Sequence, residues 1–341
     1  MKTQSPSPIL NRSQRGFSMI ELMVAITLGF IMLAAIGYLY LGSRQSFRTT
    51  DSMSRIQENA RYALQTIAQN VRMAGYVGCG NLQAMEVTTI ANPPVTVLSP
   101  STAITGLDNS AAAAAYGGRT RPSGDVVSIM GAFGGGMNPT GALPPTAATM
   151  PINANTYGFK QNDVLMVSNC VNADIFQVTN TLTGTGPVTL THASSNNTGN
   201  RVGTYGPNDI VLKMEQYTYF IGTNPSGGRS LYRTSLREGT VELADNVWDM
   251  QIQYGVDANG DGTVDSYSTA TAVTNWALVI SARISLLMVS QERVLSAAQT
   301  YRFFADTATT PTSFTPGASA ADRQLMHQVF TTTVGIRNRL L

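Results

Sequence analysis

Glu21 is the only side chain charged at neutral pH between residues 17 and 41, a stretch of 25 residues that is otherwise apolar or uncharged. A carboxylate near one end of a membrane-length helix is costly to desolvate and needs a partner, which makes it a functional residue by default. The chemistry open to it is ion pairing, because the apolar surroundings that make a lone acid expensive also strengthen its attraction to a nearby cation. Gly16 and Phe17, five and four positions upstream, mark the junction between a polar leader and the apolar run.

A second set of chemistry-bearing residues is Asp257-Ala258-Asn259-Gly260-Asp261-Gly262-Thr263-Val264-Asp265. Asp257, Asn259, Asp261 and Asp265 put side-chain oxygens at loop positions one, three, five and nine. Glycine stands at six, and Thr263 at seven offers a backbone carbonyl. That spacing lets a tight loop wrap a hard cation, with calcium the natural candidate. Position twelve is Ser268 rather than a bidentate glutamate, so the expected affinity falls to that of extracellular modules, Kd about 10⁻⁴ to 10⁻³ M. The same residues also read as an Asp/Asn/Gly hairpin turn leading away from Gln251-Ile252-Gln253-Tyr254.

Catalysis is not expected. Only two histidines exist, His192 in a loop-like context and His327 in strand-like alternation, and both read as solvated or internally satisfied. There is no G-x-S-x-G element, no H-E-x-x-H pair and no G-x-x-x-x-G-K phosphate loop. Two cysteines and two distant histidines give no zinc spacing.

The elements that must position these residues begin with a helix. About 20 apolar residues suffice to span a bilayer, so residues 17–41 make a membrane span. A secretory signal fits less well, since its apolar region is shorter and ends at a small-residue cleavage site not found here. Beyond residue 41 the helical period continues with one apolar face, Met53, Ile56, Ala60, Ala63, Leu64, Ile67, Val71 and Ala74, while Arg44, Arg48, Arg55, Arg61 and Arg72 lie off it. Residues 42–75 should therefore pack on a domain, and Gly75, with Gly78 and Gly80 around Cys79, should end the helix. At 1.5 Å per residue the whole helix would run roughly 87 Å, far more than a bilayer is thick.

Charge and cysteine usage fit an exported protein. Lys2, Arg12 and Arg15 are the leader's only charged side chains, and positive flanks stay cytoplasmic. Without those three of the 22 basic side chains, the remainder carries 19 basic against 20 acidic, so the basic balance belongs to the leader and predicts no nucleic-acid partner. Cys79 and Cys170 lie in the segment expected outside the cytoplasm, where an even count commonly means a disulfide; two buried thiols is the other reading.

Residues 81–162 read as loop-rich, with Pro93-Pro94, the alanine run 111–115, Gly134-Gly135-Gly136 and Pro144-Pro145. Strand composition marks 125–130, 163–167, 174–178, 209–221, 230–234, 241–243, 247–254, 276–289 and 325–334. The resulting class is α+β: a long N-terminal helix, half transmembrane and half amphipathic, on a mostly antiparallel sheet.

The N-terminal residues resemble the class III (type IV prepilin) signal: a leader ending in Gly16, the aromatic Phe17, and Glu21 at the head of a long apolar helix. That resemblance implies a pilin-like fold. It also implies cleavage after Gly16 by a prepilin peptidase, N-methylation of Phe17, and pairing of Glu21 with the N-terminal ammonium of a neighbouring subunit. The leader is longer than usual and broken by Ser5-Pro6-Ser7-Pro8, and no mid-helix proline is present, which leaves Gly29 and Gly37 as the weak points of the helix. Three further segments are similar to the PilW family of minor pilins: residues 74–80 (Ala-Gly-Tyr-Val-Gly-Cys-Gly), Cys170 running into residues 174–179, and Tyr254-Gly255-Val256-Asp257. Four segments are then expected: a leader 1–16, a membrane and filament-core helix 17–41, an amphipathic helix 42–75, and a periplasmic or extracellular β-rich domain 76–341.

The implied partners are other minor pilins and the major pilin, the prepilin peptidase, the inner-membrane assembly platform and a tip adhesin. The implied location is the inner membrane before assembly and the pilus at the cell surface afterwards, with adhesion and twitching motility downstream. Two other functions share parts of this pattern, a minor pseudopilin of type II secretion and a membrane-anchored periplasmic binding domain that never polymerises.

Overall fold

A computed structural model describes residues 16–92, 97–109, 116–199, 202–295, 300–304, 313–314 and 324–339. Residues 1–15 of the leader, with Lys2, Arg12 and Arg15, lie outside them, as do Pro93-Pro94 and the alanine run 111–115. The chain divides into two units, Met1–Asp51 and Ser52–Leu341. Helix α1 spans Met19–Arg72 in 54 residues and continues through Gly29 and Gly37, so neither glycine breaks it.

In the first unit the helix shows its apolar side chains on all faces, from Met19 and Ile20 through Leu33 to Tyr40 and Leu41, all exposed. In the second unit only one face of the helix is apolar, and Ile56, Ala60, Ala63, Leu64, Ile67 and Val71 are buried there. Their spacing of three and four places them along one stripe, and the alanines let the backbone come close to what it covers. The regular helix ends two residues before the expected Ala74, in a turn closed by Gly75 at φ +71°, a left-handed conformation that glycine adopts without steric cost.

Sixteen strands lie among the described residues. They are β1 Glu86–Thr89, β2 Ile104–Leu107, β3 Val126–Ala132, β4 Thr149–Ile152, β5 Val164–Ser168, β6 Asn172–Gln177, β7 Val188–Thr191 and β8 Ile210–Thr223. After these come β9 Arg229–Ser235, β10 Gly239–Asp245, β11 Val247–Val256, β12 Ser266–Ser268, β13 Val279–Arg293, β14 Tyr301–Arg302, β15 Ser313–Phe314 and β16 Leu325–Gly335. Eight of them form one sheet in the order β1-β6-β5-β8-β3-β2, with β9 also on β8 and β10 on β9. The long β8 is the joint, pairing β5 through residues 210–213, β3 through 214–219 and β9 through 218–223. A second sheet runs β12-β11-β13-β16, antiparallel throughout. Among the described residues only β1 with β6 is parallel.

The helix stripe is the shared side of both sheets. Ile56 to Ala74 join one core with Ile129, Tyr219 and Ile221 of the large sheet and Met250, Ile252, Ile284 and Leu286 of the small one. A second core under β1, β5, β6 and β8 contains Val77, Leu82, Met85, Met166, Ile175 and Leu212. A third, with Phe159, Phe176, Leu190 and Tyr205, fills the loop-rich region.

Most expected strands are present, with shifted ends. Residues 276–278 are a 3-10 turn rather than strand, since Asn275 caps it by accepting the Ala277 N–H. Strands β1, β2, β4, β7 and β12 lie where loop or turn was expected: they are three or four residues long, too short for alternation to register.

Candidate functional site

The N-terminal site is built on the first turn of α1. Phe17 is 89% exposed, and Gly16 has no neighbouring heavy atom within 4 Å of the position a Cβ would take. Glu21 sits three residues after Ser18, and the two bond reciprocally. The Ser18 N–H donates to Glu21 Oε2 at 3.0 Å, and the Glu21 N–H donates to Ser18 Oγ at 3.2 Å. This is a capping box, in which two of the helix's unpaired N–H groups are satisfied by each other's side chains. Glu21 thus has an in-chain partner for one carboxylate oxygen. The S-x-x-E signal for Ser18 stands in the sequence at 18–21, overlapping the residues already taken for cleavage. The helix that follows is long and apolar enough to cross a membrane.

Cys79 and Cys170, 91 positions apart, are bonded to each other, which decides between the two readings of the pair. The bond ties the segment that leaves α1 to the turn between β5 and β6. Gly80 packs so close to the Cys170 carbonyl that a Cβ there would come within 2.9 Å of the oxygen, which accounts for glycine beside the cysteine.

The acidic loop closes on itself. Asp257 Oδ1 accepts the Gly260 and Asp261 N–H groups at 2.7 and 3.2 Å, and Oδ2 accepts that of Gly262 at 2.8 Å. Asp265 Oδ2 accepts the Ala258 and Asn259 N–H groups. Thr263 gives its hydroxyl and its N–H to Asp261 Oδ1, and those bonds hold the Asp261 carboxyl below its usual range. Gly260 and Gly262 both take positive φ, as so tight a turn requires. Among the described residues no three His, Cys, Asp or Glu side chains form a group that could hold a metal ion. Asp257, Asn259, Asp261, Thr263 and Asp265 are brought together in one Asp/Asn/Gly turn, in which side-chain oxygens of Asp257, Asn259, Asp261 and Asp265 accept backbone N–H groups of the loop.

The histidines are apart from one another. His192 lies in the loop after β7, as expected, but it is fully buried, its ring 5.2 Å from that of Phe176, so it is not the solvated histidine of the two readings. His327 lies in β16, its Nδ1 3.1 Å from the Leu325 carbonyl oxygen.

Missed altogether was the C-terminal tie. Asn338 Nδ2 donates to the Ala74 carbonyl in the turn that follows α1, and the Arg339 guanidinium donates to the carbonyls of Trp276, Val279 and Pro100. Burial pushes the Arg339 guanidinium down to about 10.

Two comparisons bear on these features. Residues 11–37 match the family described as the prokaryotic N-terminal methylation motif, which covers Gly16, Phe17, Ser18 and Glu21. Residues 218–338 match the family described as Type IV Pilus-assembly protein W, a stretch running from within β8 to the C-terminal tie. No curated protein and no solved structure matches the chain.

Proposed function

We propose that this chain, a PilW-like minor pilin of type IV pilus assembly anchored by its N-terminal apolar helix, works in a tip or priming complex with other minor pilins. Its partners there are the other minor pilins and the major pilin, with a tip adhesin above and the inner-membrane assembly platform below. The prepilin peptidase cuts after Gly16 and methylates Phe17. The β-rich domain sits in the periplasm before assembly and on the pilus afterwards. The protein performs no turnover; its chemistry is the pairing of Glu21 with a neighbour's N-terminal ammonium.

One observation carries the reading. The methylation motif and the pilus-assembly match occur in one chain, and α1 links them by carrying Glu21 in its first turn and core residues of the β domain in its last four. The match over residues 218–338 favours a pilus over a secretion pseudopilus. Size supports a tip position, because a large domain with long irregular loops crowds a shaft of closely spaced subunits more than it crowds an end.

Mass spectrometry of the mature N-terminus tests the processing. The expected product begins with methylated Phe17. Recovery of the intact leader from assembled fibres would overturn it.

A further inference from the structure

The two oxygens of Glu21 are not equivalent. Oε2 accepts the Ser18 N–H at 3.0 Å, Ser18 Oγ accepts the Glu21 N–H at 3.2 Å, and no other described residue donates to Oε1. A carboxylate has about four acceptor sites, so the in-chain bond leaves capacity for a cation. We propose that Ser18 is a positioning residue for assembly: its reciprocal bonds with Glu21 hold the carboxylate in one rotamer, with Oε2 kept in the chain and Oε1 presented to the N-terminal ammonium of a neighbouring subunit. This rests on the assembly role of Glu21 given above.

Three physical points support it. A free glutamate in an apolar medium can turn through several rotamers, and docking an ammonium on it must freeze them. The capping box freezes them in advance, so the incoming subunit meets a fixed acceptor. The same bonds lower the cost of keeping a carboxylate in lipid while it waits, since a charge there is tolerable when it is hydrogen-bonded. Cleavage after Gly16 leaves the arrangement intact: the peptide N–H of Ser18 belongs to the bond between Phe17 and Ser18, which the mature chain retains. The Ser18 N–H and a neighbour's ammonium can be served together only through different oxygens or lone pairs of the carboxylate.

The experiment uses the full-length chain in cells, scoring cleavage and, per cleaved chain, incorporation into sheared fibres. Ser18→Ala removes the hydroxyl acceptor and should be cleaved normally but incorporated roughly fivefold less, the size of losing one cap. Ser18→Thr keeps the acceptor and should restore incorporation. Glu21→Gln alone should lower incorporation, and Ser18→Ala added to it should cost nothing further, because the hydroxyl acts through the carboxylate. Full incorporation of Ser18→Ala would overturn the proposal. So would an additional fivefold loss in the double variant, which assigns Ser18 to helix stability alone, or loss of cleavage in Ser18→Ala, which assigns it to peptidase recognition. Normal incorporation of Glu21→Gln would instead remove the charge-pair reading on which the proposal stands.

Discussion

A buried acid fastens the two sheets together. Asp125, just ahead of β3, donates its backbone N–H to the Met250 carbonyl at 2.7 Å and accepts the Ile252 N–H on Oδ2 at 2.7 Å and the Asn109 N–H on Oδ1 at 2.9 Å. The carboxyl thereby stands in for a ladder bond between the large sheet and β11. Burial pushes it up to about 7, against the pull of the Ile252 N–H and with the charge of Asp108 adding to the rise. Asp249, also buried, is raised by the same cause to about 6.

Both folded values lie above the unfolded value of about 3.9. The stability they contribute is therefore complete below about pH 4 and is lost as pH rises through 6 and 7. With both carboxyls titrating, the domain should lose about 4 kcal/mol between pH 5 and pH 8, and thermal melts across that range should show Tm falling. A flat profile would mean that neither carboxyl is raised in solution.

At the scale of elements, α1 is one helix under two sets of demands. Residues 19–41 present apolar side chains on every side, whereas 52–72 present one stripe to the β domain. Within that stripe Ala60 and Ala63 have no exposed surface, so the closeness of helix to sheets depends on their small size. Enlarging one should force the surrounding side chains off their rotamers. Ala63→Leu is expected to destabilise the domain by about 1 to 3 kcal/mol, read as a lower urea midpoint with unchanged slope. A solvent-facing change on the same helix, Gln65→Leu, serves as control and should leave the midpoint within about 0.5 kcal/mol.

Periodicity revealed this helix well, because six core positions repeat within a single continuous element. It revealed β1, β2, β4 and β7 poorly, because strands of four residues take their pairing from distant partners: Thr149–Ile152 lies against Val188–Thr191, across nearly 40 residues of chain.

For the whole molecule the long closures matter most. The Cys79–Cys170 bond closes a loop with a separation of 91, joining the exit of α1 to the β5–β6 turn. In the chain-entropy account a loop of that size removes about 4 to 5 kcal/mol of unfolded-state freedom. Replacing both cysteines by serine should lower the unfolding free energy by about 2 to 5 kcal/mol and, in hydrogen exchange, speed the segment around Val77 and Leu82 before the β13–β16 pair. Equal exchange throughout would mean that the bond adds nothing to the native fold.

The chain itself wrote out its N-terminal chemistry: Gly16, Phe17, Ser18 and Glu21 act through neighbours within five positions, so their order alone fixes a cap, a junction and a charge in an apolar run. The amphipathic stripe was equally local, being a matter of period. Contacts between distant residues decided the rest. Only the folded chain made Asp257 an acceptor for three backbone N–H groups, buried His192 against Phe176, and set Asn338 on the Ala74 carbonyl just past α1, 264 residues away. Whether a carboxylate meets a cation or an amide, and whether a side chain meets water or a ring, depends on what the fold brings within about 3 Å of it, and residue type alone does not carry that information.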